Sequence, residues 1–381
     1  MKFTVSSSAL LSVLSTTGKV ISSKNTLPIL DYFLFELQGD TLKVTASDLE
    51  TTFIGKVKVD GVEKEGVVAA PYKRMLDTLK EFSEQPLTIS VDTETWKINI
   101  RWATGEISIP GLSGLSYPTV PMLSDAKVAL DMDVDLLVDG INKTIFATAE
   151  GELRPVMNSI FVNIEPSEVT FVATDAHKLV KYSAQLESGL TASFILPKKP
   201  ANLLKAALVR EEGAIHTEFD NKNAMFHIGD FTLVCHLIEG TYPKYNSVIP
   251  QNNSNRVVVD RSELLNGIKR VAVCSSQATN LIKMSINGDK INLVAQDRDY
   301  SMSATENISC EYEGTPIVIG FKSTFLVEIL SNTDTQSVLI ELGDHTRAGV
   351  FKPVYEADEK PTFSILMLLM PMMLPEDETK A

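Results

Sequence analysis

Val44-Thr45-Ala46-Ser47-Asp48, Val172-Ala173-Thr174-Asp175 and Val294-Ala295-Gln296-Asp297 are one short text met three times. Each is a run of strand-forming residues ending in an aspartate, and the aspartates stand 127 and 122 residues apart in a chain of 381. A fixed interval of that size marks a repeated domain rather than a solenoid turn. Other landmarks keep the same order. Ser8-Ala9-Leu10-Leu11, Asp135-Leu136-Leu137 and Ser262-Glu263-Leu264-Leu265 each open a helical pattern behind a capping residue. Val68 to Lys73, Phe194 to Lys199 and Ile317 to Lys322 each carry a strand into a second helix, and Tyr117-Pro118 and Tyr242-Pro243 close the first two units.

Each third therefore reads as helix, strands, helix, strands: a pair of βαβββ half-units, antiparallel, with helices on one face, in the α+β class. In the first third the pattern predicts a helix from Ser8 to about Val20 and a second from Lys73 to Phe82. Between them it predicts strands over 33–37, 41–46 and 52–59, the first two joined by a turn at Gly39-Asp40. The expected divisions are 1–121, 122–250 and 251–374, followed by an acidic tail, 375–381, expected to lack fixed structure.

Composition narrows the class. The chain is 44% hydrophobic and 22% charged, ordinary for a globular protein. Three widely spaced cysteines form neither a disulfide framework nor a zinc pattern, which predicts a reducing, cytoplasmic setting. Met1-Lys2-Phe3-Thr4-Val5 runs straight into a strand without a leader-like stretch, and the apolar window from Phe363 to Leu374 is too short to cross a bilayer. A net charge of −14 argues against coating nucleic acid with the whole surface but permits a local basic face.

No catalytic constellation emerges. Gly18-Lys19-Val20 lacks the rest of a phosphate loop, Gly111-Leu112-Ser113-Gly114 has the wrong spacing for a nucleophile elbow, and no H-E-x-x-H or C-x-x-C occurs. The five histidines are scattered and read as structural; Asp297 in Asp297-Arg298-Asp299 reads as a turn cap. Catalytic residues, metal ligands and cofactors are all expected to be absent.

The threefold unit, together with Thr26-Leu27-Pro28-Ile29-Leu30, Ala173-Thr174-Asp175-Ala176-His177-Lys178-Leu179 and Met370-Pro371-Met372-Met373-Leu374, resembles the bacterial sliding clamps, the β subunits of DNA polymerase III. The resemblance covers essentially the whole chain. It implies a head-to-tail homodimeric ring of six domains with sheets outside and helices inside, a non-catalytic processivity factor that surrounds duplex DNA without sequence preference. Twelve helices spaced roughly 9 Å apart would describe a circle about 35 Å across, wide enough for a duplex and its water.

The same resemblance assigns residues. DNA-facing cations would be Lys24, Lys73, Arg74, Lys143, Lys198, Lys199, Lys269 and Arg270. A groove between the second and third domains would take short linear motifs of the polymerase III catalytic subunit, the clamp loader, other polymerases and repair proteins. One part of its wall would be Arg154, Met157, Thr174, His177, Lys178 and Leu179. The rest would be Pro243, Val248, Phe325, Leu368, Met370, Pro371, Met372 and Leu374. Flexible methionines suit a site that accepts several peptides. Ring closure would pair an edge around Ile107 and Ile109 with one near Val273 and Cys274. Ala176, Lys178, Ser247 and Met373 stand where the family often has glycine, arginine, arginine and arginine, so a less basic, more apolar groove is expected. The acidic tail is expected to compete weakly with acidic peptides there. A scaffold of the same fold that does not bind DNA is the alternative, and an enzyme the weakest reading.

Overall fold

The computed structural model describes residues 1–374 except Glu152, Arg210, Ala357 and Lys360. The expected tail, 375–381, lies outside the described residues. Among the described residues six helices recur, two per repeat: α1 (Ser7–Thr17), α2 (Tyr72–Lys80), α3 (Val134–Thr144), α4 (Lys198–Leu208), α5 (Arg261–Ala272) and α6 (Ser323–Ser331). The caps of α1 and α5 sit slightly earlier than the sequence suggested. The Ser6 hydroxyl accepts from the Ala9 amide, and the Asp260 carboxylate accepts from Glu263, because a cap must precede the first helical residue.

Every strand pairing is antiparallel, in four sheets. Two have nine strands each, and both are made by joining neighbouring repeats. In the first, strand Thr51–Lys58 of repeat one pairs with Phe231–His236 of repeat two; in the second, Lys178–Gln185 of repeat two pairs with Phe363–Leu369 of repeat three. The second repeat is thereby shared, which is why the chain condenses into two compact units rather than three. One comprises Met1–Val138 with Lys199–Glu239, the other Asp139–Lys198 with Gly240–Ala381.

The register is the same at both joints. Thr51 pairs with Cys235 and Gly55 with Phe231; Lys178 pairs with Leu369 and Tyr182 with Ile365. The remaining two sheets, one of five strands and one of four, end in the outermost strands Gly105–Pro110 and Met302–Ser309. These are the members of repeats one and three that correspond to the joining strands elsewhere.

Within each unit the helices bury one apolar stripe on the sheets. Leu10 and Leu14, Met75 and Leu79, Leu264 and Ile268, and Leu326 and Ile329 are buried, each contributing about 1.5–3 kcal/mol. Two helical glycines, Gly140 and Gly267, allow close helix-sheet approach. A Cβ at Gly140 would stand 2.5 Å from the Phe171 ring, and one at Gly267 would stand 2.6 Å from Ile308. The closing tyrosines are pins. Tyr117 Oη accepts from the Ser47 amide (3.1 Å) and donates to the Tyr32 carbonyl (3.2 Å), while Tyr242 Oη donates to the Val172 carbonyl (3.3 Å). Burial raises both phenols well above their ordinary value.

Candidate partner groove and basic helices

The residues expected to line the groove are organised around a turn. Asp175 Oδ1 accepts from the amides of His177 (2.9 Å) and Lys178 (2.8 Å), and its Oδ2 accepts from Lys178 Nζ (2.7 Å). This tight loop puts Ala176 at φ +75°, where a Cβ is unfavourable by about 1–2 kcal/mol. A glycine at this position would adopt that backbone without strain. Thr174 Oγ1 closes the loop by donating to the Lys178 carbonyl (2.7 Å).

Lys178 is only 4% exposed. Besides Asp175 it meets Glu328 Oε2 of α6 at 3.0 Å, and its ammonium lies 4.3 Å from the centre of the Phe325 ring. Lys322 lies 4.7 Å from the same ring, and His177 stacks on it at 5.9 Å. The last segment then passes over this cluster. Lys178 pairs with Leu369, the Met370 amide donates to the His177 carbonyl (2.8 Å), and the Met372 amide donates to the Gly320 carbonyl (2.8 Å). Gly320 is required here, because a Cβ would stand 2.9 Å from both Leu281 and Leu374.

The structure thus brings His177, Phe325, Met370, Pro371 and Met372 together at the surface, with Met370 42% exposed. Thr174, Leu179, Leu368 and Leu374 are buried and support that surface from beneath. Lys178 is a buried strut rather than an exposed wall, since two carboxylates and a ring enclose its ammonium. Arg154 and Met157 lie together on the loop that precedes strand Ser159–Glu165, Arg154 Nη1 being 3.9 Å from Met157 Sδ. Val248, 54% exposed, follows Pro243 on a short helical turn. Sequence reading missed Lys322 and Glu328. The spacing of Lys322, Phe325 and Glu328 at three-residue steps held the signal, since such residues share one helix face.

The six helices carry ten basic and five acidic residues, a net +5, in a chain whose total is −14. The expected DNA-facing cations divide into two sets. Lys143 pairs with Asp334, Lys198 with Glu150 (2.6 Å), Lys199 with Asp48 and Arg270 with Glu306, so their charge is partly satisfied internally. Lys24, Lys73, Arg74 and Lys269 are exposed and have no carboxylate partner among the described residues.

Val273 and Cys274 follow the last turn of α5, and the edge strand beside that helix is Met302–Ser309, the outermost on one side of its sheet. The helix lies alongside that edge, where Gly267 meets Ile308 and Arg270 holds Glu306. The apolar pattern Val271-Ala272-Val273-Cys274 resembles a strand, yet only Val271 faces the core, and Val273 is 73% exposed. Asp297 does cap a turn, accepting from the amides of Asp299 (3.0 Å) and Tyr300 (3.2 Å). Among the described residues no group of three or more histidine, cysteine or acidic side chains is placed to hold a metal ion, and no helix is long and apolar enough to cross a membrane.

A triplicated antiparallel α+β chain with basic helices, open sheet edges and an apolar surface cluster has the make-up of a binding scaffold. Family models for the N-terminal, central and C-terminal domains of the DNA polymerase III beta subunit match residues 1–121, 131–244 and 246–371. The chain belongs to that family. Membership makes it a DNA sliding clamp that partners polymerase and has no catalytic role of its own. The beta sliding clamp of Pseudomonas putida is 26% identical over 376 residues, covering 98% of this chain and 100% of the relative; that of Staphylococcus aureus strain Mu50 is 26% identical over 382 residues, covering 98% and 99%. The crystal structure of the DNA polymerase III subunit beta from Pseudomonas aeruginosa superposes with a TM-score of 0.91 at 25% identity, covering 98% of this chain and all of that one.

Proposed function

We propose that two copies close head to tail into a ring that slides along duplex DNA in the cytoplasm and recruits partners through the groove. The observation that carries this reading is the repeated register. Two of the three equivalent joints are made within the chain, and the strands for the third, Gly105–Pro110 and Met302–Ser309, are left as edges. Open edges are association surfaces, and a head-to-tail contact must close to avoid a filament.

Transferring the register pairs Met302 with the partner's Ile109 and Ala304 with the partner's Ile107. Side-chain alternation agrees, because Glu306 and Ile308 of the same strand already turn toward α5. The flanking helices follow the same equivalence. Within the chain, Lys199 Nζ donates to the Val20 carbonyl (2.8 Å) and pairs with Asp48. The corresponding groups are the partner's Lys73 against Cys274 and Asp297. This reassigns Lys73 from DNA to the joint, and returns Val273 and Cys274 to the interface as helix-end contacts. Val273 would meet a hollow lined by Arg74, Thr78, Phe82, Trp102 and Ile107.

With half of the expected cations already paired, the bore is weakly attractive, which suits sliding better than gripping. At the groove, the exposed Met370 with the half-buried Phe325 and Met372 favours apolar linear motifs of the polymerase III catalytic subunit, the clamp loader, other polymerases and repair proteins. The test of the joint is a chain carrying Ile107→Cys and Ala304→Cys. Mild oxidation should give a covalent dimer, while either substitution alone should not; monomer from the doubly substituted chain at high concentration refutes the closure.

A further inference from the structure

Away from the groove and the proposed joint, one sheet face of the first unit carries a polar row that the clamp reading does not use. Register sets Asp131, His216, His227 and Thr232 side by side across four strands. The two imidazoles have ring centres 5.7 Å apart and planes tilted by 34°. Each ring is held from its outer side: His216 Nδ1 lies 2.7 Å from Asp131 Oδ1, and His227 Nδ1 lies 3.5 Å from Thr232 Oγ1. Both Nε2 atoms then face one carboxylate, Glu218, at 4.0 Å from His216 and 3.3 Å from His227.

We propose that His216 and His227 form a two-nitrogen chelate for a borderline divalent transition ion such as Zn²⁺, completed by water, with Asp131 and Thr232 orienting the rings. Three arguments carry it. With metal-nitrogen bonds of about 2.0–2.1 Å, two imidazoles on one tetrahedral ion hold their ring centres about 5 Å apart, close to the spacing present. A ligating histidine characteristically donates its other N–H to a carboxylate or similar acceptor, which is the role of Asp131 here. Imidazole selects this class of ion over Mg²⁺, which demands oxygen donors.

Glu218 lies beside the two rings but is engaged by Lys127. A bound ion therefore competes with the Lys127 ammonium for Glu218. Nothing in this site depends on ring closure or on the groove.

The test is calorimetric titration of ZnCl₂ into the full, metal-free chain. One saturable site per chain is expected. His216→Ala and His227→Ala should each weaken it at least tenfold, and Asp131→Ala about tenfold. Lys127→Ala should tighten it several-fold, and His236→Ala should leave it unchanged. Three results overturn the proposal: no saturable binding up to millimolar Zn²⁺, equal binding of MgCl₂, or a site that survives both histidine substitutions and so belongs to Cys274 or Cys310. The opposed effects of Asp131→Ala and Lys127→Ala decide the matter even if a histidine variant folds poorly.

Discussion

Val273→Asp tests the joint with little risk to the fold, because the side chain is 73% exposed in the single chain. In the proposed ring it enters the hollow beside Phe82, Trp102 and Ile107. Burying the rest of a valine contributes about 1–2 kcal/mol. Enclosing a carboxylate there, against Asp77 and Glu81 with only Arg74 to offset it, adds a penalty of at least about another 1–2 kcal/mol. A loss of about 3 kcal/mol per joint becomes about 6 kcal/mol for a ring with two joints, roughly a 10⁴-fold weaker dimer. Sedimentation equilibrium reads this directly against a chain mass of 41.8 kDa. The unaltered protein should sediment as a dimer, and Val273→Asp as the single chain at micromolar concentration with an unchanged thermal melt. A variant that remains dimeric refutes the placement of α5 at the joint.

Other expectations follow from named contacts. Phe325→Ala removes the ring shared by His177, Lys178 and Lys322 and should weaken apolar partner peptides by about 2–4 kcal/mol in fluorescence polarisation, leaving dimer mass unchanged. Ala176→Gly relieves the φ of +75° and should raise the unfolding midpoint slightly, whereas Ala176→Val should lower it. Lys24→Ala with Lys269→Ala should lower the salt dependence of DNA association by about 0.9 per lost phosphate contact, while Lys198→Ala, paired with Glu150, should change it less. Cys235 is buried and its thiol is pushed up to about 12, so at pH 8 it should resist alkylation until the protein unfolds; Cys310, partly exposed and away from the proposed joint, should react first.

Much of the fold could be read from the chain because its signal is repeated. Asp48, Asp175 and Asp297 each end a strand and cap the following turn, so three weak local signals reinforce one another. Strand pairing between repeats was beyond reach, since nothing local in Thr51–Lys58 names Phe231–His236 as its neighbour. That same long-range pairing makes two compact units from three repeats. At the groove, surface chemistry was readable in Phe325 and the methionines, but burial was not. Lys178 looked like an exposed cation, and only the fold encloses it between Asp175, Glu328 and Phe325. The histidines looked isolated because their acidic neighbours come from another strand, Asp131, and from the alternate position Glu218.

The central claim is that the protein holds DNA by surrounding it. Clamp assembled on a nicked circular duplex should stay bound through a high-salt wash and leave as soon as the circle is cut once to a linear form. Loss from the intact circle in salt, or equal retention on circular and linear duplex, would contradict a closed ring and leave only ordinary surface affinity.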